Sequence, residues 1–315
     1  MFRGAMLIAV VVALLAPATA SAAKPAVTTG AAGSIAQTTV TLNGKVDPNG
    51  KATTYFFQIG TTRIYGSTTA PAAAGSGANP ITVSVPVGGL APATLYHYRL
   101  VARNEDGQTV GADRTFRTKR QPLGVTLAAT PNPVAPGGPT VLAGQLTGTN
   151  NANRDVVLQS NPFPYTQGFV NASNPQVTDA AGNFSFPVLS VPVTTQFRVV
   201  MSQRPDVVSP IVVVGAALQV TTRTKKVERH RHSVSVRFRG DIRPGAAGVR
   251  VDIQKLRNGV WTTIAHTRAQ HRTSARSSYR TRVRLFRSGT FRVVAVSDGA
   301  LVSGAGRPID IRVRR

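Results

Sequence analysis

Histidines are the first candidates for chemistry in this chain, because it contains no cysteine. His230 and His232 are two residues apart, so on a strand both would point to one side. A metal ion would need a third ligand, which His266 or His271 could supply. All four histidines stand among arginine and lysine residues, whose charge disfavours a cation. We therefore interpret the segment as a solvated basic stretch, and predict no metal site and no cofactor.

Residues for acid–base or nucleophilic catalysis are equally sparse. The chain has twelve acidic residues, and turn or loop positions account for several of them, namely Asp47, Asp106, Asp179 and Asp241. No two carboxylates are marked out as the pair that a glycosidase needs. G-x-S-x-G, P-loop and G-x-G-x-x-G patterns are absent. His97 lies between two tyrosines, should point outward and has no carboxylate within its motif. The sequence therefore predicts a non-enzyme without catalytic residues.

Basic residues alternate with apolar residues in three runs near the end of the chain, at positions 234–239, 279–285 and 309–314. Period two places successive side chains on opposite faces of a strand. The pattern predicts a solvent-facing sheet surface, the candidate anion-binding face, formed by Arg237, Arg239, Arg280, Arg282, Arg284, Arg312 and Arg314.

Guanidinium groups can hold phosphate or carboxylate through two hydrogen bonds at once. Anionic cell-wall or extracellular polymers are therefore the predicted partners. In the alternative, the arginines reflect composition and only keep the protein soluble. No aromatic ladder interleaves them, so we predict no specific nucleic-acid recognition. The tripeptide Arg239-Gly240-Asp241, which integrins read, is expected by chance in a chain rich in arginine and glycine.

Two aromatic features could contact a ligand. Phe163, Tyr165 and Phe169 cluster in a predicted loop, which could form a docking platform for a carbohydrate or a protein. Alternatively, this loop folds back and caps the end of a core. Trp261, the single tryptophan, is predicted to be core or half-buried packing rather than a ligand-stacking residue.

The elements that would position these residues are short strands. The chain has 29 glycines and 21 prolines, and valine and threonine recur in short alternating runs. Residues 39–44 and 52–59 flank the turn Asp47-Pro48-Asn49-Gly50 and are predicted to form a β-hairpin. Residues 251–264 predict a second hairpin that closes at Asn258-Gly259.

Residues 90–104 combine Leu90, Pro92 and Tyr96 ahead of an alternating run. Here the chain resembles the fibronectin type III family in its bacterial secreted form, over roughly residues 25–118. The resemblance implies a structural corner in which the Tyr96 hydroxyl returns to the upstream backbone and Leu90 and Pro92 set the turn. The core position that this family often fills with tryptophan would hold Tyr55 or Phe57.

Later segments carry looser resemblances. Residues 178–186 resemble bacterial Ig-like and prealbumin-like repeats, and residues 251–264 together with 289–293 look like Ig-like repeats of actinobacterial envelope proteins. The fold class implied is all-β, with tandem immunoglobulin-like and fibronectin type III β-sandwiches.

Charge differs sharply between the predicted domains. Residues 24–120 hold ten basic and four acidic side chains, residues 121–216 three and three, and residues 217–315 twenty-three and five. Such shifts mark module boundaries. We predict a fibronectin type III-like domain at 24–120, an Ig-like or prealbumin-like sandwich at 121–216 and a basic Ig-like sandwich at 217–315.

The N-terminus predicts export. A short basic start, an apolar run at 6–15 and Ala20-Ser21-Ala22 are typical of a signal peptide, here residues 1–23. An uncleaved anchor is the alternative, although a span needs about 20 residues. No transmembrane segment is expected after signal removal. The sequence predicts an extracellular or cell-envelope protein with a structural or adhesive role. The alternative is a recognition module, possibly accessory to an extracellular hydrolase.

Overall fold

All regular structure in the described residues is β-strand. The computed structural model describes residues 23–245, 248–297 and 299–313, so the predicted signal peptide lies outside them except for Ala23. The chain forms two compact units, the first ending at Gln121 and the second beginning at Pro122. In the described ranges, no helix is long and apolar enough to cross a membrane. The predicted fold class, all-β tandem sandwiches, is confirmed.

The first unit is one sandwich module. Its strands are β1 (Ala26–Thr29), β2 (Val40–Asp47), β3 (Thr53–Gly60), β4 (Ser67–Thr68), β5 (Ala72–Gly75), β6 (Ile81–Val87), β7 (Leu95–Asn104), β8 (Gly107–Val110) and β9 (Arg114–Arg117). One sheet has the order β1-β2-β6, and the other has the order β4-β3-β7-β8, with β5 paired to β3 and β9 paired to β7.

The second unit contains two further sandwich modules. The first of these has the strands β10 (Gly124–Val125), β11 (Ala128–Thr130), β12 (Gly138–Thr147), β13 (Asp155–Pro162), β14 (Val170–Asn171), β15 (Gln176–Val177), β16 (Asn183–Val191), β17 (Thr195–Met201), β18 (Arg204–Val208) and β19 (Val212–Val214). The last module has β20 (Gln219–Val220), β21 (Arg223–His230), β22 (Ser233–Arg243), β23 (Arg250–Arg257), β24 (Val260–Arg268), β25 (Gln270–Thr273), β26 (Arg276–Leu285), β27 (Gly289–Val296), β28 (Gly304–Ala305) and β29 (Ile309–Ile311).

One topology recurs in all three modules. In each module one long strand, β2, β12 or β22, pairs with the module's first strand or strands and with a later strand. The next long strand, β3, β13 or β23, lies in the opposite sheet. Each module has its own hydrophobic core between its two sheets. This is the antiparallel sandwich arrangement, in which alternate side chains of every strand point inward.

The predicted hairpin around Asp47 is wrong. Strand β2 pairs with β1 and β6, whereas β3 pairs with β4, β5 and β7. The turn at Asn49 and Gly50, which both have positive φ, therefore carries the chain from one sheet to the other. Turn residues specify a reversal of direction, and they do not specify which sheet the next strand joins. The hairpin at Asn258-Gly259 does form, with Arg257 opposite Val260.

Aromatic side chains fill the core of the first module. Phe57 is fully buried, with its ring centroid 6.5 Å from that of Tyr98, and Tyr55 is half-buried at the edge of the same cluster. Of the two residues predicted for the usual tryptophan position, Phe57 thus lies in the core. The Tyr98 hydroxyl donates a hydrogen bond of 2.7 Å to the carbonyl of Gly30.

The two modules of the second unit are joined by a segment that pairs with both of them. The carbonyl of Val134 accepts a hydrogen bond from the amide of Ala217, and the carbonyl of Gly215 accepts one from Val134. On the other side, the amide of Leu218 donates to Val302. Residues 214–216 and 218 are buried, and the predicted boundary at 216–217 falls inside this segment.

Candidate functional site

Five of the seven arginines predicted to form the anion-binding face share one sheet surface. Strand alternation buries Val236, Phe238, Tyr279 and Val283 and turns Arg237, Arg239, Arg280, Arg282 and Arg284 outward. Arg312 does not belong to this surface. It follows β29, which pairs with β27 in the opposite sheet. Arg314 lies outside the described residues.

Pairing with β21 extends this surface into two cationic rows that run across three strands. In one row Arg237 lies between Lys225 on β21 and Arg282 on β26. In the next row Arg239 lies between Arg223 and Arg280. Neighbouring strands are about 4.8 Å apart, and residues two positions apart along a strand are about 6.7 Å apart. Six positive charges therefore occupy a small, regular patch, which we call the cationic rows.

The two rows differ in their compensation. Arg282 donates a hydrogen bond of 2.9 Å from Nη1 to Oε1 of Glu228. No carboxylate in the described part of the chain lies within ion-pair distance of Arg239 or Arg280. Like charges directly opposite each other on a sheet destabilise it. The backbone pairing of the three strands therefore keeps Arg223, Arg239 and Arg280 side by side although their positive charges repel one another.

One end of the same surface deepens into a groove of about 860 Å³. Seven arginines line this arginine groove: Arg223, Arg239, Arg243, Arg268, Arg272, Arg276 and Arg280. Asp241 is the one acidic residue among its described lining residues. Arg268 is anchored by a 2.9 Å hydrogen bond to the carbonyl of Gly248, and Arg272 by a 2.9 Å bond to the Ser278 hydroxyl. The groove is therefore strongly positive, with two of its guanidinium groups fixed in place.

Tyr279 is a buried residue in the lining of the groove. Its hydroxyl donates a hydrogen bond of 2.9 Å to the Thr221 carbonyl and lies 2.8 Å from the Thr222 hydroxyl. Burial raises the pKa of Tyr279 to about 12, so this hydroxyl remains protonated. Position 240 is occupied by glycine, and a Cβ there would overlap the Thr221 carbonyl and lie 2.8 Å from the Tyr279 hydroxyl.

The integrin-type tripeptide lies in the same place, within strand β22. Arg239, Gly240 and Asp241 pair with Arg280, Tyr279 and Ser278. On the other side, the Thr221 amide donates to the Asp241 carbonyl at 2.9 Å. The tripeptide is thus part of the sheet ladder rather than a projecting loop.

The histidine pair does not share a strand face. His230 ends β21, and His232 lies in the two-residue turn before β22. This corrects the assumption that both point to one side, because the hairpin reverses between them. Across the described ranges, no three histidine, aspartate or glutamate side chains are grouped as metal ligands.

The predicted recognition loop has intramolecular contacts. Phe163 packs against Tyr165 with ring centroids 5.6 Å apart, and a Cβ on Gly299 would lie 3.1 Å from the Phe163 ring. Arg198 lies over the ring of Phe169 at 4.2 Å. Phe163 thus lies beside the last module, whereas Phe169 packs against Arg198 of its own module. A recognition role for it stays a prediction.

The predicted corner residues are brought together in the first module. Leu90 is buried, and the Tyr96 hydroxyl accepts a hydrogen bond of 2.9 Å from the amide of Ala91. Pro92 lies next in the chain, and its carbonyl accepts a 2.9 Å bond from the Thr94 hydroxyl. The Tyr96 ring stacks on Phe116, with centroids 5.5 Å apart. These contacts hold the chain where it enters β7.

A titratable cluster that sequence reasoning missed lies beside this corner, at the start of β7. His97 Nδ1 is 2.9 Å from Asp113 Oδ2, and the Tyr65 hydroxyl donates a 2.9 Å hydrogen bond to Asp113 Oδ1. Partial burial raises the pKa of Asp113, but hydrogen bonds from His97 and Tyr65 outweigh this and hold it below the ordinary value. Asp113 lies outside the sequence motif of His97, and the pairing of β7 with β9 brings it beside the imidazole.

Trp261 is half-buried and lies outside the core cluster of the last module. The guanidinium carbon of Arg292 lies 4.4 Å from the centre of its ring system. This stacking covers one part of the indole, which accords with a packing residue.

The fold and this surface define a chain of immunoglobulin-like sandwiches with a cationic terminal module. No family model matches the chain, and no curated protein is similar to it. Among solved structures, the FN1–FN3 domains of chicken CNTN1 align over 93% of this chain and 100% of their own, with 15% identity and a TM-score of 0.28. A tetra-tandem repeat from the extending region of a large adhesion protein covers 92% of this chain and 74% of its own, with 15% identity and a TM-score of 0.28. These values are too low to support a functional conclusion, so we take the function from the residues.

Proposed function

We propose that this chain is a secreted, non-catalytic structural or adhesive protein of the cell envelope or extracellular matrix. Its last module associates electrostatically with anionic polymers, and the preceding modules act as spacers. The observation that carries the proposal is the uncompensated cationic row of Arg223, Arg239 and Arg280.

This row favours a binding role over the alternative that the arginines only keep the protein soluble. Solubility requires net charge, but it does not require arginines placed directly opposite each other, where they repel. A polyanion laid across the strands would neutralise that repulsion and gain bidentate hydrogen bonds. The arrangement thus costs stability in the free protein and stabilises the complex.

Binding of the mature chain to bacterial cell-wall fragments tests the proposal. Fragments that retain their anionic polymers are compared with fragments stripped of them, by co-sedimentation at about 50 mM and about 200 mM salt. The logarithm of the binding constant falls linearly with the logarithm of the salt concentration, with a slope of about 0.7 per charge contact. With about four contacts, affinity should therefore fall about 50-fold between these concentrations. Stripped fragments should not bind.

A charge-matched pair of variants separates the surface from the total charge. The double variant Arg239→Gln/Arg280→Gln removes two contacts, and should lower affinity roughly 60-fold at about 50 mM salt and roughly tenfold at about 200 mM. The control Arg257→Gln/Arg307→Gln removes two exposed charges of the same module that lie off the cationic rows. Equal losses in both variants, or no binding of the unaltered chain at low salt, would refute the proposal.

A further inference from the structure

We infer that the arginine groove is a binding site for a linear phosphate polymer without aromatic bases. The inference rests on the proposed function and narrows it, because it names phosphate as the recognised anion and the groove as the place of recognition. Four features of the groove support the inference: the type of cation, the fixation of two arginines, the spacing of the arginines, and the lack of an exposed aromatic ring among the described lining residues.

The cations of the groove are all arginines. Lys225 and Lys226 lie on the adjoining strand, yet no lysine lines the groove. A guanidinium group presents a planar fork of donors that matches two phosphate oxygens, whereas an ammonium group acts as a point charge. No groove arginine is in an ion pair with a described carboxylate, although Asp241 also lines the groove.

Two of these arginines are held in position before any ligand arrives. Arg268 is fixed to the Gly248 carbonyl, and Arg272 is fixed to both Ser278 and Gln270. They project from the end of β24 and from β25, so they form one wall of the groove, while β22 and β26 form its floor. Groups that are already immobilised lose less conformational entropy on binding.

The floor extends too far for a single phosphate ion. Arg239 and Arg243 are four residues apart on β22, and Arg276 and Arg280 are four apart on β26, which in each case corresponds to about 13 Å. Arg239 is directly opposite Arg280, and Arg243 and Arg276 lie one position beyond the Ile242–Ser277 pair. The floor therefore carries two arginine couples about 13 Å apart, which suits a chain with several phosphates.

The described lining of the groove offers no exposed aromatic ring on which a base could stack. Tyr279 is the only aromatic residue among its described lining residues, and it is 3% exposed. Binders of single-stranded nucleic acid depend on stacking of bases on exposed aromatic rings. The chemistry of the groove thus favours a phosphate chain over a nucleic acid.

Titration of the full mature chain with long-chain inorganic polyphosphate tests this inference. Orthophosphate, poly-glutamate of matched charge and single-stranded DNA serve as comparison ligands. We expect polyphosphate to bind at least tenfold more tightly than each of the other three. Poly-glutamate that binds equally well would overturn phosphate recognition, and DNA that binds more tightly would overturn the exclusion of bases.

Variants locate the site. Arg243→Gln/Arg276→Gln changes only groove residues, and should weaken polyphosphate binding roughly 60-fold at about 50 mM salt. Arg237→Gln/Arg282→Gln changes the same sheet outside the groove and should have a much smaller effect. Asp241→Asn removes the carboxylate that opposes the ligand and should strengthen binding roughly eightfold, a gain that misfolding could not produce.

The outcomes separate the inference from the function on which it rests. Equal losses in the two double variants would refute the groove but leave binding of anionic polymers by the whole surface intact. Unchanged affinity in Asp241→Asn would likewise refute the groove. A mature chain that binds none of the polymers at low salt would overturn both proposals.

Discussion

Removing one pair of opposed arginines should make the free protein more stable. Arg239 and Arg280 face each other across β22 and β26 without a carboxylate partner in the described residues. Gln at both positions keeps much of the side-chain length and removes the repulsion. We therefore expect Arg239→Gln/Arg280→Gln to unfold at a higher temperature than the unaltered chain, although it binds polymer less well.

The magnitude follows from the pairing. A favourable cross-strand charge pair contributes roughly 0.2–1 kcal/mol, and we take the same size with the opposite sign for two directly opposed arginines. Because the second unit spans residues 122–315, we use the shift for domains of 150–250 residues, about 2–4 °C per kcal/mol. The expected rise in Tm is therefore roughly 0.4–4 °C at low salt. At about 1 M salt the Debye length shrinks to about 3 Å, so most of the rise should disappear.

The chain provides its own probe for this measurement. Trp261 is the single tryptophan, and it lies in the same module as the two arginines, stacked on Arg292. Its fluorescence therefore reports unfolding of that module within the full mature chain. Melts at low and high salt give the charge-dependent part of the difference.

A matched variant tests whether any pair of Arg→Gln changes on this sheet raises Tm. Arg237→Gln/Arg282→Gln makes the same chemical change one row away, but it also removes the bond from Arg282 to Glu228. An exposed ion pair of this kind contributes about 0–1 kcal/mol, so this variant should gain little or nothing. A rise in Tm that is equal in both variants, or that persists at about 1 M salt, would show that repulsion in the uncompensated row is not its cause.

Two predictions concern the first module. Tyr96→Phe removes the acceptor for the Ala91 amide and should destabilise this module by about 1 kcal/mol in urea unfolding, whereas Tyr55→Phe, which loses no such bond, should not. Because the pKa of Asp113 is depressed in the folded state, its stabilising contribution is complete above the ordinary aspartate pKa of about 3.9 and is lost as pH falls through the lower folded value. Calorimetry should therefore show Asp113→Asn less stable than the unaltered chain at pH 7, with the gap closing in acid; a gap that is constant with pH would contradict this assignment.

Strand alternation predicted much of the basic surface, because period two determines the face of a strand. It could not determine the sheet, which is why Arg312 was grouped with Arg237 although β29 joins the opposite sheet. The same limit produced the wrong hairpin at Asp47. The local sequence determines which face of a strand a residue occupies. It does not determine which sheet that strand joins.

Features that depend on pairing between distant segments could not be predicted from the sequence pattern. His97 and Asp113 meet because Tyr98 pairs with Arg114, and a correct register for β7 and β9 would have revealed the contact. The arginine groove needs residues from five strands, and all of its seven arginines except Arg239 and Arg280 lie outside the alternating runs. Likewise, the position of Phe163 depends on a neighbouring module.

The segment between the last two modules has a consequence for experiments that dissect the chain. Because its backbone pairs with Val134 on one side and with Val302 on the other, cutting at 216–217 would break the hydrogen bonds from Ala217 to Val134 and from Val302 to Ala216 and leave these backbone groups unpaired. Residues 122–315 should therefore be expressed, transplanted or fused as one piece. A cut at Gln121, where the first unit ends, is the safer place to divide the protein.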